Sequence, residues 1–393
     1  MLPNVSIDST PLLFATTWTQ FGDGIVAELP DTLNRFGIDA PLFITDEGVE
    51  NSGILDRVIE PVNKSATIHY ATQEPSADDF EHFGGENTDG IVAIGGGSCI
   101  DTAKLMSVLL SNGGSIESYI GVDTVPGPTA PLIAVPTTSG TGSQATQTAV
   151  VKYDGVKRGV SDESLRPDAA LVDPTLTFDL PQSVTRSAGF DAFVHAFESL
   201  TARDYRWVDQ RPIAYQGANP ISRTLAMRAL ALIYSSLEQA VHDGHNYEAR
   251  RKLSLGSHLA GAAFTVSGLG SVHALASAVG GLRDQPHGEC LATSLEPGLR
   301  YNLPVRRTEY AEIARWLGVS NAANDQIAAS DLIDEWQRIR DAIGLPGSIK
   351  EFGFTADDID SLVENTLVQE RRLVTNPRRV TADIKSILSA ELD

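Results

Sequence analysis

Residues 90–104 read GIVAIGGGSCIDTAK, an apolar β-branched run followed by glycines and then by the start of a helical pattern. Glycines between a strand and a helix N-terminus leave backbone N–H groups uncovered, and the positive end of the helix dipole attracts an anion. The stretch therefore predicts a phosphate-binding turn, although it follows neither the G-x-G-x-x-G nor the P-loop pattern. Glycines that serve only a tight turn are the alternative. The residues assigned to the turn and the helix start are Gly95, Gly96, Gly97, Ser98 and Asp101.

The pattern around this turn repeats, because short apolar runs alternate with helical patterns from residue 41 to residue 155. Such alternation indicates a parallel sheet with crossover helices. After Pro181 the apolar residues follow a 3.6-residue period, which is typical of a helical bundle. We therefore predict an α/β nucleotide-binding domain over residues 1–182 and an all-α domain over residues 183–393. Predicted strands are 42–45, around 68, 90–94, 131–135, 149–151 and 169–172.

A second polar loop, residues 136–143 with the sequence PTTSGTGS, also follows a predicted strand. Two such loops can hold one dinucleotide between them, and Thr137, Thr138 and Thr141 are the candidate contacts. Asp46 directly follows the first strand of the repeat, where an acid binds a ribose diol and repels a 2′-phosphate. The sequence thus predicts NAD in preference to NADP. A helix N-cap is the equal alternative for Asp46.

Four side chains of the second half form a candidate metal site. Asp191 and His195 are four residues apart in a helical pattern, so both project from one face of the helix. His273 and His287 follow in the same half of the chain. One carboxylate with three imidazoles suits Fe²⁺ or Zn²⁺. A single histidine is more often a core or surface residue, and we interpret His258, within an apolar helix, as structural.

Composition excludes several classes of function. The 393 residues are 42% apolar and carry 30 basic against 51 acidic side chains, a net charge of −21 that repels nucleic acid. The absence of a signal-like or membrane-spanning run predicts a cytoplasmic protein without a membrane partner. Only Cys99 and Cys290 occur, as in a reducing compartment. Seven Lys against 23 Arg, with surplus carboxylate, suggests a halophilic protein; a low isoelectric point without salt adaptation is the alternative.

These motifs together resemble the iron-dependent, group III alcohol dehydrogenase family over roughly residues 10–390. Residues 95–104 are similar to its GGGSxxDxAK, residues 136–143 to its PTTxGTGSE with Gln144 replacing the last position, and residues 189–198 to its GxDAxxHAxE. The resemblance implies a dehydroquinate synthase-like architecture with the active site in a cleft between two domains, and a homodimer. It also implies that metal binding and catalysis fall to Asp191, His195, His273 and His287, and that cofactor contacts include Asp46, Gly95–Ser98, Thr137, Thr138 and Lys157.

The resemblance implies hydride transfer between a nicotinamide cofactor and an alcohol or aldehyde bound to the metal. One position departs from it: many members carry a histidine four residues after the third ligand, where this chain has Ser277. Proton delivery is therefore left open, with Ser277 through water or His258 as candidates.

Residues 204–222 are similar to the subgroup that contains hydroxyacid-oxoacid transhydrogenases, and Arg206 and Arg211 could bind a substrate carboxylate. A surface loop whose arginines pair with neighbouring acids is the alternative for this segment. A metal-dependent hydrolase, in which the metal activates water, is the alternative of another class.

Overall fold

The computed structural model describes residues 10–62, 64, 67–81, 87–208 and 215–392, and its strands lie in the first half of the chain. Six of them form one parallel sheet in the order β1-β9-β6-β4-β2-β3, and the other three form a small sheet in the order β5-β8-β7. The strands are β1 (Trp18–Phe21), β2 (Pro41–Thr45), β3 (Thr67–Tyr70), β4 (Gly90–Gly95), β5 (Gly121–Val122), β6 (Leu132–Pro136), β7 (Thr148–Tyr153), β8 (Val156–Ser161) and β9 (Ala169–Val172).

The α-helices cover the large sheet and then make up the second half of the described chain. They are α1 (Leu29–Arg35), α2 (Glu47–Asn51), α3 (Ile54–Ile59), α4 (Gly97–Asn112), α5 (Gln182–Thr201), α6 (Pro220–Tyr234), α7 (Leu237–His242), α8 (Tyr247–Ser267), α9 (Ser271–Arg283), α10 (His287–Leu317), α11 (Asp325–Ala342), α12 (Ile359–Leu367), α13 (Glu370–Leu373) and α14 (Lys385–Leu392). An N-terminal α/β domain with a parallel sheet and a following helical domain are thus confirmed.

The centre of the large sheet is apolar without alternation. Strands β2, β4, β6 and β9 are buried at every position, because helices cover both faces of a parallel sheet. Strands β4 and β6 pair in parallel with Gly95 opposite Pro136, so their carboxyl ends finish at the same level. The two polar loops predicted from the sequence therefore leave the same edge of the sheet side by side.

The small sheet was not predicted. Strands β7 and β8 form an antiparallel hairpin, closed at Asp154 and Gly155, which both have positive φ (51° and 73°). An Asp-Gly pair favours such a two-residue turn. The predicted strand at 149–151 exists, but it lies in this hairpin and not in the parallel sheet. The hairpin stands beside the edge that carries the polar loops, since Lys104 of α4 bonds the Thr148 carbonyl oxygen.

The helical domain packs around a core on α5, α6, α8, α9, α10 and α11 that includes the fully buried Trp336, Tyr301 and Tyr310. Within the described residues, no single helix has the length and hydropathy to cross a membrane; α8 and α9 meet those criteria only as a pair, bent by 99°. Strand β9 ends at Val172 and α5 begins at Gln182, and the division at residues 182/183 stays a prediction.

Two glycines make a close backbone contact between the two halves. A Cβ placed on Gly142, in the second polar loop, would lie 2.6 Å from the Cα of Gly261 on α8. A Cβ on Gly261 would lie 2.7 Å from the carbonyl oxygen of Gly142. Since real Cβ atoms do not approach other atoms this closely, only glycine fits at either position. This contact joins the loop directly to the helix.

Candidate functional site

Three helices bring the four candidate ligands together. Helix α5 carries Asp191 and His195 one turn apart, His273 lies in the first turn of α9, and His287 is the first residue of α10. The Nε2 atoms of His195 and His273 each lie 3.4 Å from Oδ1 of Asp191. Nε2 of His287 lies 3.9 Å from the same oxygen. Ligand atoms of Asp191, His273 and His287 all lie within 4.8 Å of one another.

The atoms that converge here lack other partners. Oδ1 of Asp191 and Nε2 of His273 are buried and accept or donate no hydrogen bond within the described part of the chain. Buried polar atoms normally form hydrogen bonds. A carboxylate oxygen and a neighbouring imidazole nitrogen that both lack a hydrogen-bond partner therefore fit a bound cation. Both are hard or borderline donors of the kind that bind Fe²⁺ and Zn²⁺. The residues present therefore fit a divalent metal.

The electrostatics of the cluster also suit a metal. Burial alone would raise the pKa of Asp191, but the surrounding imidazoles, His195 foremost, lower its pKa well below the usual range. Burial lowers the pKa of His195 to about 3, against the attraction of Asp191. Asp191 is therefore a carboxylate and His195 a neutral imidazole, which are the protonation states that bind metal. Against the effect of burial, Asp191 and Glu198 raise the pKa of His273, so a metal bound there would displace its second ring proton.

Glu198 orients one of the imidazoles. Its Oε2 accepts a hydrogen bond of 2.6 Å from Nδ1 of His273, and its Oε1 accepts one of 2.8 Å from the backbone N–H of Val272. With the proton held on Nδ1, the lone pair of Nε2 points towards Asp191 and the other candidate ligands. A carboxylate behind a metal-binding histidine fixes the tautomer and makes the ring a stronger donor. Sequence reasoning missed Glu198, although it closes the quoted motif and lies on the same helical face as Asp191 and His195.

The glycine turn and the second polar loop form one surface. The N–H of Thr137 donates to the carbonyl oxygen of Gly95 (3.0 Å). A Cβ on Gly97 would lie 2.7 Å from Cγ2 of Thr141, and one on Gly96 would lie 3.4 Å from the side chain of Thr138. The two loops therefore pack against each other with no space for larger side chains between them.

The other predicted cofactor residues lie around this surface in different environments. The hydroxyl of Ser98 donates to the carbonyl oxygen of Gln73 (2.6 Å). Lys157, on β8, forms an ion pair with Glu74 at 2.6 Å and is about half exposed. Both side chains thus have protein partners before any ligand arrives.

A buried network fixes α4 to the second loop. Asp101 accepts from the hydroxyl of Ser143 (2.6 Å) and from the N–H of Val150 (3.0 Å). Lys104 donates to the hydroxyls of Ser143 and Thr146 and to the Thr148 carbonyl oxygen, at 2.8–2.9 Å. Burial raises the pKa of Asp101 and lowers that of Lys104 to about 8. The acid and the base of the DxAK motif therefore hold the loop in place.

Asp46 lies at the end of β2, next to the glycine turn. Its Oδ1 accepts from the N–H of Val49 (2.9 Å) and so caps α2, while its Oδ2 accepts from the thiol of Cys99 (3.2 Å). A Cβ on Gly95 would lie 3.6 Å from that Oδ2. The N-cap alternative is present, and the same carboxylate also borders the surface predicted to hold the nucleotide.

The residues predicted to bind the substrate or to deliver a proton lie in different surroundings. Arg206 pairs with Asp204, two residues away, with Nε at 2.7 Å from Oδ1. Arg211 lies outside the described residues. Ser277 donates its hydroxyl proton to the His273 carbonyl oxygen (2.9 Å). His258 is buried, its Nδ1 has no partner within the described part of the chain, and burial lowers its pKa to about 4.

A parallel-sheet nucleotide domain followed by a helical domain with an Asp/His₃ cluster defines a metal-dependent nicotinamide oxidoreductase. Residues 16–174 match the family described as "Iron-containing alcohol dehydrogenase", and residues 185–392 match "Fe-containing alcohol dehydrogenase family, C-terminal". The chain belongs to the iron-containing alcohol dehydrogenase family, and the resemblance found in its sequence is confirmed. It is an oxidoreductase that transfers hydride between a nicotinamide cofactor and an alcohol/aldehyde pair.

Relatives of known name align along nearly the whole chain. NAD-dependent methanol dehydrogenase of Bacillus methanolicus is 33% identical over 383 residues, which is 94% of this chain and 97% of that protein. Sulfoacetaldehyde reductase of Bilophila wadsworthia is 30% identical over 387 residues, 95% of this chain and 96% of that protein. The crystal structure of 1,3-propanediol oxidoreductase superposes with a TM-score of 0.89 at 29% identity, covering 97% of this chain and 100% of that chain.

Proposed function

We propose that Asp191, His195, His273 and His287 hold one Fe²⁺ or Zn²⁺ and that NAD, in preference to NADP, binds on the adjoining glycine surface. The observation that carries the metal proposal is the buried pair of orphan atoms, Oδ1 of Asp191 and Nε2 of His273. A divalent metal bound there supplies Lewis-acid polarisation of an alcohol or carbonyl oxygen. Glu198 keeps His273 in the binding tautomer.

The nucleotide proposal rests on the packing of the two polar loops. Backbone N–H groups of the Gly95–Ser98 turn, at the start of α4, would receive the pyrophosphate. Thr137, Thr138 and Thr141 would contact the nucleotide from the second loop, and Asp46 would bond the ribose. Asp101, together with Lys104, would act by positioning that loop, because both side chains already bond protein atoms. Lys157 would contact the nucleotide only by giving up its pairing with Glu74.

The wider predictions from the sequence are retained as part of the proposal. The division into residues 1–182 and 183–393 places the proposed nucleotide surface on the first domain and all four proposed ligands on the second. A homodimer in a salt-rich cytoplasm accords with the family resemblance and with the net charge of −21.

The test combines metal analysis with turnover. Purified protein is assayed for bound iron and zinc, and then for NADH and NADPH oxidation with short aldehydes after loading with Fe²⁺, Zn²⁺ or no metal. We expect stoichiometric metal, turnover with NADH, and loss of metal and turnover in His273→Ala and His287→Ala variants that still bind NADH.

Full activity without metal would refute the proposal. Phosphate-ester cleavage without NADH binding would favour the hydrolase. Turnover of a hydroxy acid with an oxo acid and no added nucleotide would favour the transhydrogenase.

A further inference from the structure

Two consecutive arginines, Arg371 and Arg372, lie outside every motif identified in the sequence. Arg371 and Arg372 are on the short helix α13, which packs against α9, the helix that carries His273. The charge of Arg372 acts on Asp191 and Glu198, and it lowers the pKa of His287. Arg372 is therefore a cation close enough to the proposed metal site for its charge to act on Asp191.

Arg372 has no carboxylate partner among the residues that the structure describes. Within that part of the chain, its side chain donates one hydrogen bond, from Nη1 to the neutral Oε1 of Gln369 (2.6 Å). No carboxylate oxygen of the described residues lies within 4.0 Å of its guanidinium. This is unusual in a chain with 51 acidic and 30 basic residues. Arg283 and Arg300, for comparison, pair with Asp358 and Glu296 at 2.7 and 2.6 Å.

The neighbouring charges leave that of Arg372 uncompensated. Asp191 and Glu198 contribute two negative charges, and a divalent cation held by the site contributes two positive charges. Lys157, the other cation whose charge acts on His287, is neutralised by Glu74 at 2.6 Å. Together with neutral imidazoles these groups sum to zero, so Arg372 and the adjacent Arg371 add unbalanced positive charge. Arg372 is partly exposed, so an anionic ligand can reach its guanidinium and balance that charge.

The two arginines differ in what holds them. Arg371 bonds the hydroxyl of Ser161 on β8 and lies over the ring of Tyr215 at 5.6 Å. It therefore ties α13 to the small sheet. Burial and the adjacent Arg371 lower the pKa of Arg372 to about 10, so the guanidinium keeps its charge near neutral pH. Arg371 therefore holds α13 to the small sheet, whereas the guanidinium of Arg372 keeps N–H donors that can bind a ligand.

We propose that Arg372 binds an oxyanion of the substrate, so that the alcohol or aldehyde used by this protein carries a carboxylate, sulfonate or phosphate group a few carbon atoms from the reacting carbon. The planar guanidinium can donate two parallel hydrogen bonds to such a group. The inference rests on the proposed function of the metal site, since the reacting oxygen is assumed to lie there. It replaces Arg206 as the substrate cation, because Arg206 already pairs with Asp204.

The experiment compares aldehydes of similar size with and without charge. Metal-loaded protein is assayed with NADH and butanal, 4-oxobutanoate, sulfoacetaldehyde or glycolaldehyde phosphate, and the three anionic compounds separate the possible oxyanions. Each is measured with the wild type, Arg372→Gln, Arg372→Lys and the control Arg300→Gln, whose arginine lies on α10 about 20 Å along the helix from His287. Thermal melts establish that each variant is folded.

We expect kcat/KM for at least one anionic aldehyde to exceed that for butanal in the wild type. Arg372→Gln should lower this ratio by about tenfold to a hundredfold, mainly through KM, the range for losing a hydrogen bond to a charged group. Arg372→Lys should restore part of it, and Arg300→Gln should leave it unchanged. Binding of propanoate, which cannot be reduced, should weaken in Arg372→Gln relative to propanamide.

Two failures can be told apart. A wild type that reduces butanal as well as any anionic aldehyde, or an unchanged ratio in a folded Arg372→Gln, overturns the role of Arg372 and leaves the alcohol dehydrogenase chemistry standing. A metal-loaded protein that reduces none of the four aldehydes overturns the proposed function itself.

Discussion

Glu198→Gln is the substitution that most directly tests how the proposed metal site is built. The variant keeps the size of the side chain and removes the negative charge behind His273. In the structure that carboxylate is buried and accepts two hydrogen bonds, at 2.6 Å from His273 and 2.8 Å from Val272. Loss of such a carboxylate typically weakens metal binding about 10-fold to 100-fold, or about 1.4–2.7 kcal/mol. We expect the metal Kd to rise within that range.

The assay titrates metal-free protein with Zn²⁺ in competition with a chromogenic chelator. Glu309→Gln is the matched control, because Glu309 is also a partly buried carboxylate, but it pairs with Arg306 and Arg223 and not with a proposed metal ligand. Both variants should lose stability, and only Glu198→Gln should lose metal affinity. Equal affinity in the wild type and Glu198→Gln, with both folded, would refute the argument that this carboxylate sets the donor strength of His273.

Three further predictions concern the coenzyme, pH and salt. Asp46→Asn should raise the NADPH/NADH ratio of kcat/KM by about tenfold (~1.4 kcal/mol), since asparagine retains the cap on α2 but not the charge that repels a 2′-phosphate; an unchanged ratio would reject the ribose role. His258 has a folded pKa of about 4 against an unfolded value of 6.5, so the unfolded chain takes up the proton first and stability falls as pH drops through that interval, by about 3 kcal/mol. His258→Leu should remove that loss in urea titrations across the interval, and an identical pH slope in the variant would contradict it. Because ions screen the repulsion within a net charge of −21, the melting temperature should be higher in molar KCl than in dilute buffer, and a melt no higher in salt would reject salt adaptation.

The elements that sequence predicts best are those fixed by local pattern. The apolar run before Gly95 can only be a buried strand, and a four-residue spacing puts Asp191 and His195 on one face of α5. The hairpin of β7 and β8 was missed because its strands are half exposed and weakly apolar. Its Asp-Gly turn was nevertheless visible in the sequence.

Other parts of the site depend on contacts between distant segments. Glu198 and His273 are 75 residues apart, and no local pattern shows that they share a proton. Arg372 became a candidate only when the structure placed it within reach of the charge of Asp191, with no acidic partner among the described residues. The ion pair of Arg206 is instead a local one, because its partner Asp204 is only two positions away in the sequence.

The backbone contact of Gly142 with Gly261 has a consequence for how this sequence can vary. A clash between two side chains is often relieved when a larger residue at one position is matched by a smaller residue at the other. Glycine is already the smallest residue, so neither position can be changed to a smaller one. Any replacement at either position would force the second polar loop away from α8, and with it the proposed coenzyme surface away from the proposed metal. We therefore expect both positions to remain glycine in every functional descendant of this chain, with no pair of substitutions in which one compensates for the other.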